Sequence, residues 1–356
     1  MSEQTVISVD TTGGDRGANT ILSGLAKAAR KNPAIRFILH GDAARLDRLL
    51  HRRAALRDIC DIRHAEGVVP MDAKPSYVIR RAQGTSMLGA IDSVRDGEAQ
   101  VAVSCGNTGV LMALAMLRLR TAPGVDRPAI AVTWPSHAPH GYNIVLDVGA
   151  DVRADARNMV EYAVMGAEYA RLSFNLARPR VGVLNVGSED NKGRLGIREA
   201  ADLVAETGPA AGEFEYVGFV EGGDIISDRV DVIVTDGFTG NIALKTAEGT
   251  AQFIHQSMRS AFNKTILSRL AALLAYSSLR RLQARIDPRR VNGGVFLGLG
   301  GAVVKSHGSA DSTGVAAAVK LAFRMGESGF SRRVADRVAL LPNGQRAIAA
   351  GRQGDG

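Results

Sequence analysis

Five glycine-rich turns hold most of the residues in this 356-residue sequence that could do chemistry. The first runs from Asp10 through Gly13, Gly14 and Asp15, and the second is Ser104-Cys105-Gly106-Asn107-Thr108-Gly109. The third joins Asn185-Val186-Gly187-Ser188-Glu189 to Asn191-Lys192-Gly193. Asp236-Gly237-Phe238-Thr239-Gly240-Asn241 is the fourth, and Lys305-Ser306-His307-Gly308-Ser309 the fifth. Each follows an apolar run of strand character. Glycine lets backbone N–H groups approach an anion, Ser, Thr and Asn add neutral donors, and Lys adds a compact positive charge. A single such turn is an ordinary connection with a capped helix. Five expected at one edge of one sheet point to anion binding, with phosphate the natural ligand. Lysine is scarce, since eight of the 44 basic residues are Lys and the rest Arg. Lys74, Lys192, Lys245 and Lys305 all fall in or beside such connections.

Other chemistries find less support. No G-x-x-x-x-G-K-[ST] occurs, and no G-x-G-x-x-G follows the first strand with an acidic residue about 20 positions later. Those absences disfavour a P-loop nucleotidase and a dinucleotide cofactor. There is no G-x-S-x-G elbow. Cys105 lies just past an apolar strand and reads as a small core residue. His137-Ala138-Pro139-His140 reads as a surface turn, and His40, His51, His64 and His255 have no ligand partners at useful spacing. His307, between Lys305 and Gly308, is the one histidine placed in a site. Neither a metal ion nor a cofactor is expected.

The elements that must position these turns alternate between strand and helix. Apolar strands are predicted at 6–9, 37–40, 59–63, 101–103, 130–133, 143–147, 181–185, 216–220, 230–235 and 302–305. Helices are predicted at 19–31, 43–53, 87–95, 110–119, 156–176, 199–207, 240–261 and 309–326. Strands apolar on both faces and joined through helices imply a doubly wound α/β fold, a mostly parallel sheet with helices on both faces. No linker divides the chain, so residues 1–342 read as one two-lobed domain and 343–356 as a disordered tail. Residues 262–290 break the pattern. Ile266, Leu267, Leu270, Leu273 and Leu274 share one helical face, and Leu279, Leu282 and Ile286 continue it past Ser277-Ser278, with Arg280, Arg281 and Arg285 elsewhere. Such a basic amphipathic hairpin suits either an anionic membrane surface or packing on a core or second subunit.

Composition is that of a globular protein, 46% hydrophobic and 22% charged, long enough for a substantial core. Two cysteines exclude a disulfide scaffold and a four-Cys zinc site, and fit a reducing cytoplasm. No apolar run approaches the roughly 20 residues of a spanning helix, and the first residues lack the pattern of a signal peptide. A formal net charge of +8 favours acidic partners.

Together the turns carry a family pattern. Gly13-Gly14-Asp15, Lys74-Pro75-Ser76, Ser86-Met87, the second turn, Asn185-x-Gly187-x-Glu189-x-x-Lys192-Gly193, Asp236-Gly237-Phe238-x-Gly240-Asn241 and Lys305-Ser306-His307-Gly308 resemble the PlsX family, in that family's order. These are phosphate acyltransferases of bacterial phospholipid synthesis. The resemblance spans about residues 5–330. It implies transfer of a long-chain acyl group from acyl carrier protein to inorganic phosphate, giving acyl phosphate. It also implies a homodimer with the fold of isocitrate dehydrogenases and phosphotransacetylases, cytoplasmic and loosely attached to the membrane. Four positions depart from the pattern: Thr12 replaces Met, Cys105 replaces Ala, Asp151 replaces Asn, and Arg153 replaces Asp.

Read this way, Lys192 positions phosphate or stabilises developing charge, and Asn241 donates to the oxyanion or phosphate. Asp10, Gly13, Gly14, Asp15, Ser104, Gly106, Asn107 and Thr108 form one set of binding residues, with Gly187, Asp236, Gly237, Gly240, Lys305, Ser306 and His307. Without the resemblance, Lys192 reads as a surface lysine and Asn241 as a helix cap. Two other functions compete: a phosphotransacetylase-like enzyme using acyl-CoA, and a non-enzymatic basic protein binding nucleic acid or membrane. Few aromatics and dispersed arginines count against nucleic acid as a partner.

Overall fold

Runs of Val, Ile and Ala with no polar face can be buried only when both sides of a sheet are covered. The computed structural model, which describes residues 4–286 and 294–341, builds one eleven-stranded sheet from such runs. The strands are β1 (Thr5–Asp10), β2 (Ile35–Gly41), β3 (Cys60–His64), β4 (Val101–Ser104), β5 (Ala129–Pro135), β6 (Tyr142–Leu146), β7 (Arg180–Leu184), β8 (Glu215–Val220), β9 (Val232–Val234), β10 (Gly294–Leu297) and β11 (Ala302–Lys305). Their spatial order is β3-β2-β1-β4-β11-β10-β5-β6-β9-β7-β8. Val101 and Val103 enter one hydrophobic core and Ala102 the other, one on each face of the sheet.

The sheet has two parallel halves of opposite direction. β3, β2, β1, β4 and β11 run together, as do β6, β9, β7 and β8. Between them β10 is antiparallel to both neighbours, and β5 is antiparallel to β6. β5 joins the halves by pairing Ala129–Ala131 with β10 and Val132–Pro135 with β6. The turn from Ser136 to Gly141, closed by Ser136 N donating to Gly141 O at 3.0 Å, then reverses the chain. The doubly wound, mostly parallel sheet is therefore present, but the expectation of one common edge for the five turns is corrected. Those after β1, β4 and β11 belong to one half, and those after β7 and β9 to the other. The missed strand, β10, is one cause of the reversal.

Helices Gly17–Ala29 and Ser312–Glu327 pack together on the first half, closely enough that a Cβ on Gly24 would meet Val315 at 2.5 Å. In the second half, Met159–Ala170 of helix Ala156–Phe174 is buried on every side. Helix Gly237–Asn263 behaves differently. Gly237 and Gly240 are buried, yet Phe253 and Ile254 further along are exposed. It leads into helices Ile266–Leu274 and Tyr276–Ile286, in the segment where the sequence predicts a basic amphipathic hairpin. Residues 287–290 of that segment, and the expected tail at 343–356, lie outside the described residues. No helix among the described residues is long and apolar enough to cross a membrane.

Candidate active site

The first, second and fifth turns form one continuous structure. Asp10 is its hub, buried at the end of β1. Its carboxylate accepts from the N–H groups of Thr12 and Gly13, both at 3.1 Å, and from the hydroxyls of Ser86 at 2.6 Å and Ser104 at 2.7 Å. A carboxylate so engaged anchors the turn; it repels a phosphate rather than binding one. Thr12, where the family pattern has Met, touches the Ser86 hydroxyl and reaches Asp10 as well. Gly13 is obligatory, because a Cβ there would sit 2.5 Å from Asp10 Oδ2 and 2.7 Å from Gly106 N. Gly14 adopts φ +85°, and Asp15 N donates to Gly308 O at 2.8 Å, which ties the first turn to the fifth. Ser306 N donates to Ser104 O at 2.9 Å and ties the second to the fifth.

Several expected donors in this group serve the scaffold. Ser104 Oγ donates to Asp10 and accepts from Gly106 N. Asn107 caps helix Thr108–Leu119 by accepting from Val110 N, while its Nδ2 donates to Met71 O and Ala73 O. Thr108 stands exposed on the first turn of that helix. Lys305 and Ser306 are different. Lys305 is 8% exposed and its Nζ donates to Ser306 O. Burial pushes the ammonium down to about 8, and the charge of Lys245 pushes the same way. Ser306 is fully buried; no nitrogen or oxygen of the described residues partners its hydroxyl, which lies within hydrogen-bonding reach of the Cys105 thiol. Cys105 lies beside them, its thiol pushed up to about 11 by burial, which removes it as a nucleophile near neutral pH.

The third and fourth turns form the second group. Asp236 caps helix Gly237–Asn263 by accepting from Thr239 N at 2.8 Å, and it pairs at 3.2 Å with Arg194, the residue that follows the third turn. Gly240 packs where a Cβ would lie 1.9 Å from Asp147 O, and a Cβ on Gly237 would lie 2.5 Å from Asp147 Oδ2. Asp147, fully buried, accepts from the N–H groups of Ile130, Gly149, Ala150 and Asp151. Burial raises its carboxyl pKa, and those four donors oppose the rise. Asp151 therefore takes part through its backbone, and its side chain accepts from Arg153 N. Asn241 is exposed and donates through Nδ2 to Val148 O at 3.1 Å. Lys192 is half exposed, 3.9 Å from Glu189, in a loop held by Asn185 Nδ2 donating to Lys192 O. Gly187 is buried within that loop.

One helix links the groups. Gly237–Asn263 starts at the fourth turn, and eleven residues beyond Gly237 its Glu248 lies 4.0 Å from His307 Nε2. Lys245 pairs with Glu248 at 2.7 Å. His307 Nδ1 lies 2.9 Å from Ser309 Oγ, so an accepting Nδ1 leaves the proton on Nε2, facing Glu248. Burial lowers the His307 pKa, and Glu248 opposes this. Glu248 and Arg194 were not among the residues expected in the site, and Lys245 and Ser86, though noted in the sequence, were given no role there. Local sequence carries no sign that a helix from one half passes, eleven residues beyond its start, a histidine of the other. His140 of the His137–His140 turn lies 3.8 Å from Asp231, and no group of metal-ligating residues occurs among the described residues.

The fold of this chain, a sheet of two opposed parallel halves, is similar to that of solved phosphotransacetylases. The chain superposes on a phosphotransacetylase from Streptococcus pyogenes with a TM-score of 0.60 at 15% identity, covering 91% of this chain and 94% of that one. A Staphylococcus aureus phosphotransacetylase gives 0.57 with the same identity and coverage. The family described as fatty acid synthesis protein matches residues 5–333. Phosphate acyltransferases of Paracoccus denitrificans and of a Jannaschia species are 62% and 61% identical, over 97% and 94% of this chain and 92% of each relative. The chain belongs to this family, the PlsX-type phosphate acyltransferases.

Proposed function

We propose that this phosphate acyltransferase takes its acyl group from an acyl carrier protein and releases acyl phosphate for phospholipid synthesis. The observation that carries the reading is the pairing of Lys305 with Ser306: a buried ammonium and a buried hydroxyl, which no nitrogen or oxygen of the described residues partners, beside the Gly13–Gly14 turn. Phosphate held there needs no enzyme nucleophile. One of its oxygens attacks the thioester carbonyl, a C–O bond forms, the C–S bond breaks, and the thiolate leaves and takes a proton from solvent. A thiol with a pKa near about 8.5 is a competent leaving group without acid assistance. What remains is positioning and charge stabilisation. Lys192 and the Asn241 amide, in the second group, are assigned to the oxyanion that develops on the carbonyl.

The acidic carrier protein suits a chain of net charge +8. The reading includes a homodimer and reversible contact with anionic membrane through the hairpin. Support for that contact is its apolar face, where Ile266, Leu267, Leu273 and Leu274 are all exposed. Purified protein supplied with phosphate and either palmitoyl-carrier protein or palmitoyl-CoA tests the donor. A higher kcat/KM with the carrier protein is expected. Preference for palmitoyl-CoA would instead support a phosphotransacetylase-like enzyme.

A further inference from the structure

Three of the chain's eight lysines line a single groove. It lies between the C-terminal end of helix Gly17–Ala29 and the first turns of helix Ser312–Glu327, and encloses about 390 Å³. Its floor is alanine, from Ala28, Ala316 and Ala317, and its rim is Lys27, Arg30, Lys31 and Lys320. No acidic residue lines it. Elsewhere half-buried arginines sit in ion pairs, as Arg180 does with Asp231 and Arg118 with Asp92. Arg30, Lys31 and Lys320 are exposed and carry no ion pair among the described residues. Four cations are thus gathered around an apolar floor without neutralisation, which costs self-repulsion unless an anionic partner arrives.

We infer that this groove is the docking site for an acidic, amphipathic helix of the carrier protein. The alanine floor accepts the helix's apolar edge, the lysine stems extend that floor, and the charged heads reach flanking carboxylates. Its position suits the task. Lys27 Nζ donates to Ser312 Oγ at 2.7 Å, and Ser312 is four residues past Gly308, the acceptor of the Asp15 amide. Four residues span at most about 14 Å, so the groove's upper end lies within a short distance of the first turn group. A tethered thioester arm could cover such a gap. A nucleic acid fits less well, because the floor offers no aromatic ring for base stacking.

The inference rests on the carrier protein being the acyl donor, and one experiment separates the two. Lys31→Glu combined with Lys320→Glu leaves the turns untouched. With palmitoyl-carrier protein at low ionic strength, its KM is expected to rise about tenfold at unchanged kcat, two repulsive rim charges together contributing about that factor. The difference should shrink as salt is added, and Lys31→Arg with Lys320→Arg should restore the normal KM. Calorimetric titration with the carrier protein reads the same affinity without turnover. If the unaltered protein binds the carrier protein but forms no acyl phosphate from it, the donor reading fails while the groove is still tested. An unchanged KM and affinity in the double variant would overturn the groove assignment. Loss of binding to phosphatidylglycerol vesicles, with carrier affinity intact, would overturn it in favour of lipid.

Discussion

Replacing Lys305 by Met should make the protein more stable and less active at pH 7. The ammonium is nine-tenths buried, and burial brings its pKa from 10.5 to about 8. At 1.36 kcal/mol per pH unit, holding it charged in the fold costs about 3 kcal/mol at neutral pH. The bond from Nζ to Ser306 O returns about 1 kcal/mol, so the methionine variant should gain roughly 2 kcal/mol. The sign follows from proton counting. Between pH 8 and about 10.4 the unfolded lysine is protonated and the folded one is not, so wild-type stability rises with pH and the variant's advantage fades over that range. Urea unfolding at pH 7 and pH 10 measures this. In parallel, acyl phosphate formation against phosphate concentration should show kcat/KM for phosphate about a hundredfold lower, the loss typical of one electrostatic donor. Wild-type phosphate affinity should itself weaken above pH 8 as the ammonium deprotonates. A variant that is less stable at pH 7, or more stable with an unchanged phosphate dependence, would refute the placement of Lys305 at the phosphate.

Lys192→Ala should lower kcat by about a hundredfold with the fold intact, since the side chain is half exposed and packs little; near-normal turnover would make Lys192 a surface residue. Glu161 is buried and burial carries its carboxyl up to about 7, against the N–H of Asp126 at 3.0 Å. Wild type therefore loses stability as pH rises from about 4.5 to 7, and Glu161→Gln should be the more stable by up to about 3 kcal/mol at pH 8. Thermal unfolding should show that advantage vanish near pH 4.5; the reverse ordering would contradict it. Leu270→Glu with Leu274→Glu should abolish binding to anionic vesicles while the reaction in solution continues, each lost leucine contact removing about 0.8 kcal/mol per CH₂. If the double variant unfolds or splits a dimer, those leucines serve packing.

The sequence revealed the elements better than their directions. Val101–Val103 and Val181–Leu184 are legible because an unbroken run without polar residues has no polar face to expose. Gly294–Leu297 is not, being four residues between glycines with no helix after it, and without it the first half's link to β5 is lost. The reversal at Ser136–Gly141 leaves no mark on the strands that follow, since a parallel strand reads the same whichever way its sheet points. Helix Phe330–Val338 had a signal that was missed, in Phe330, Val334 and Val338 at four-residue spacing, all buried. In the site, the glycines were legible because the chain could not close with a side chain at Gly13 or Gly240. The division of labour was not. Asp10, Ser104 and Asn107 look like ligands by type, and only their partners identify them as scaffold. Glu248 reaches His307 across the two halves, a contact that spacing along the chain cannot encode.

Isotope transfer tests the central claim most directly. Phosphate carrying ¹⁸O at all its oxygens, incubated with the protein and palmitoyl-carrier protein, should yield acyl phosphate that keeps every labelled oxygen, because a phosphate oxygen becomes the bridge to the carbonyl. Free carrier thiol should appear in equal amount. Mass spectrometry reads both. Unlabelled free fatty acid with no acyl phosphate would show that water, not phosphate, attacks the thioester, and would contradict the account.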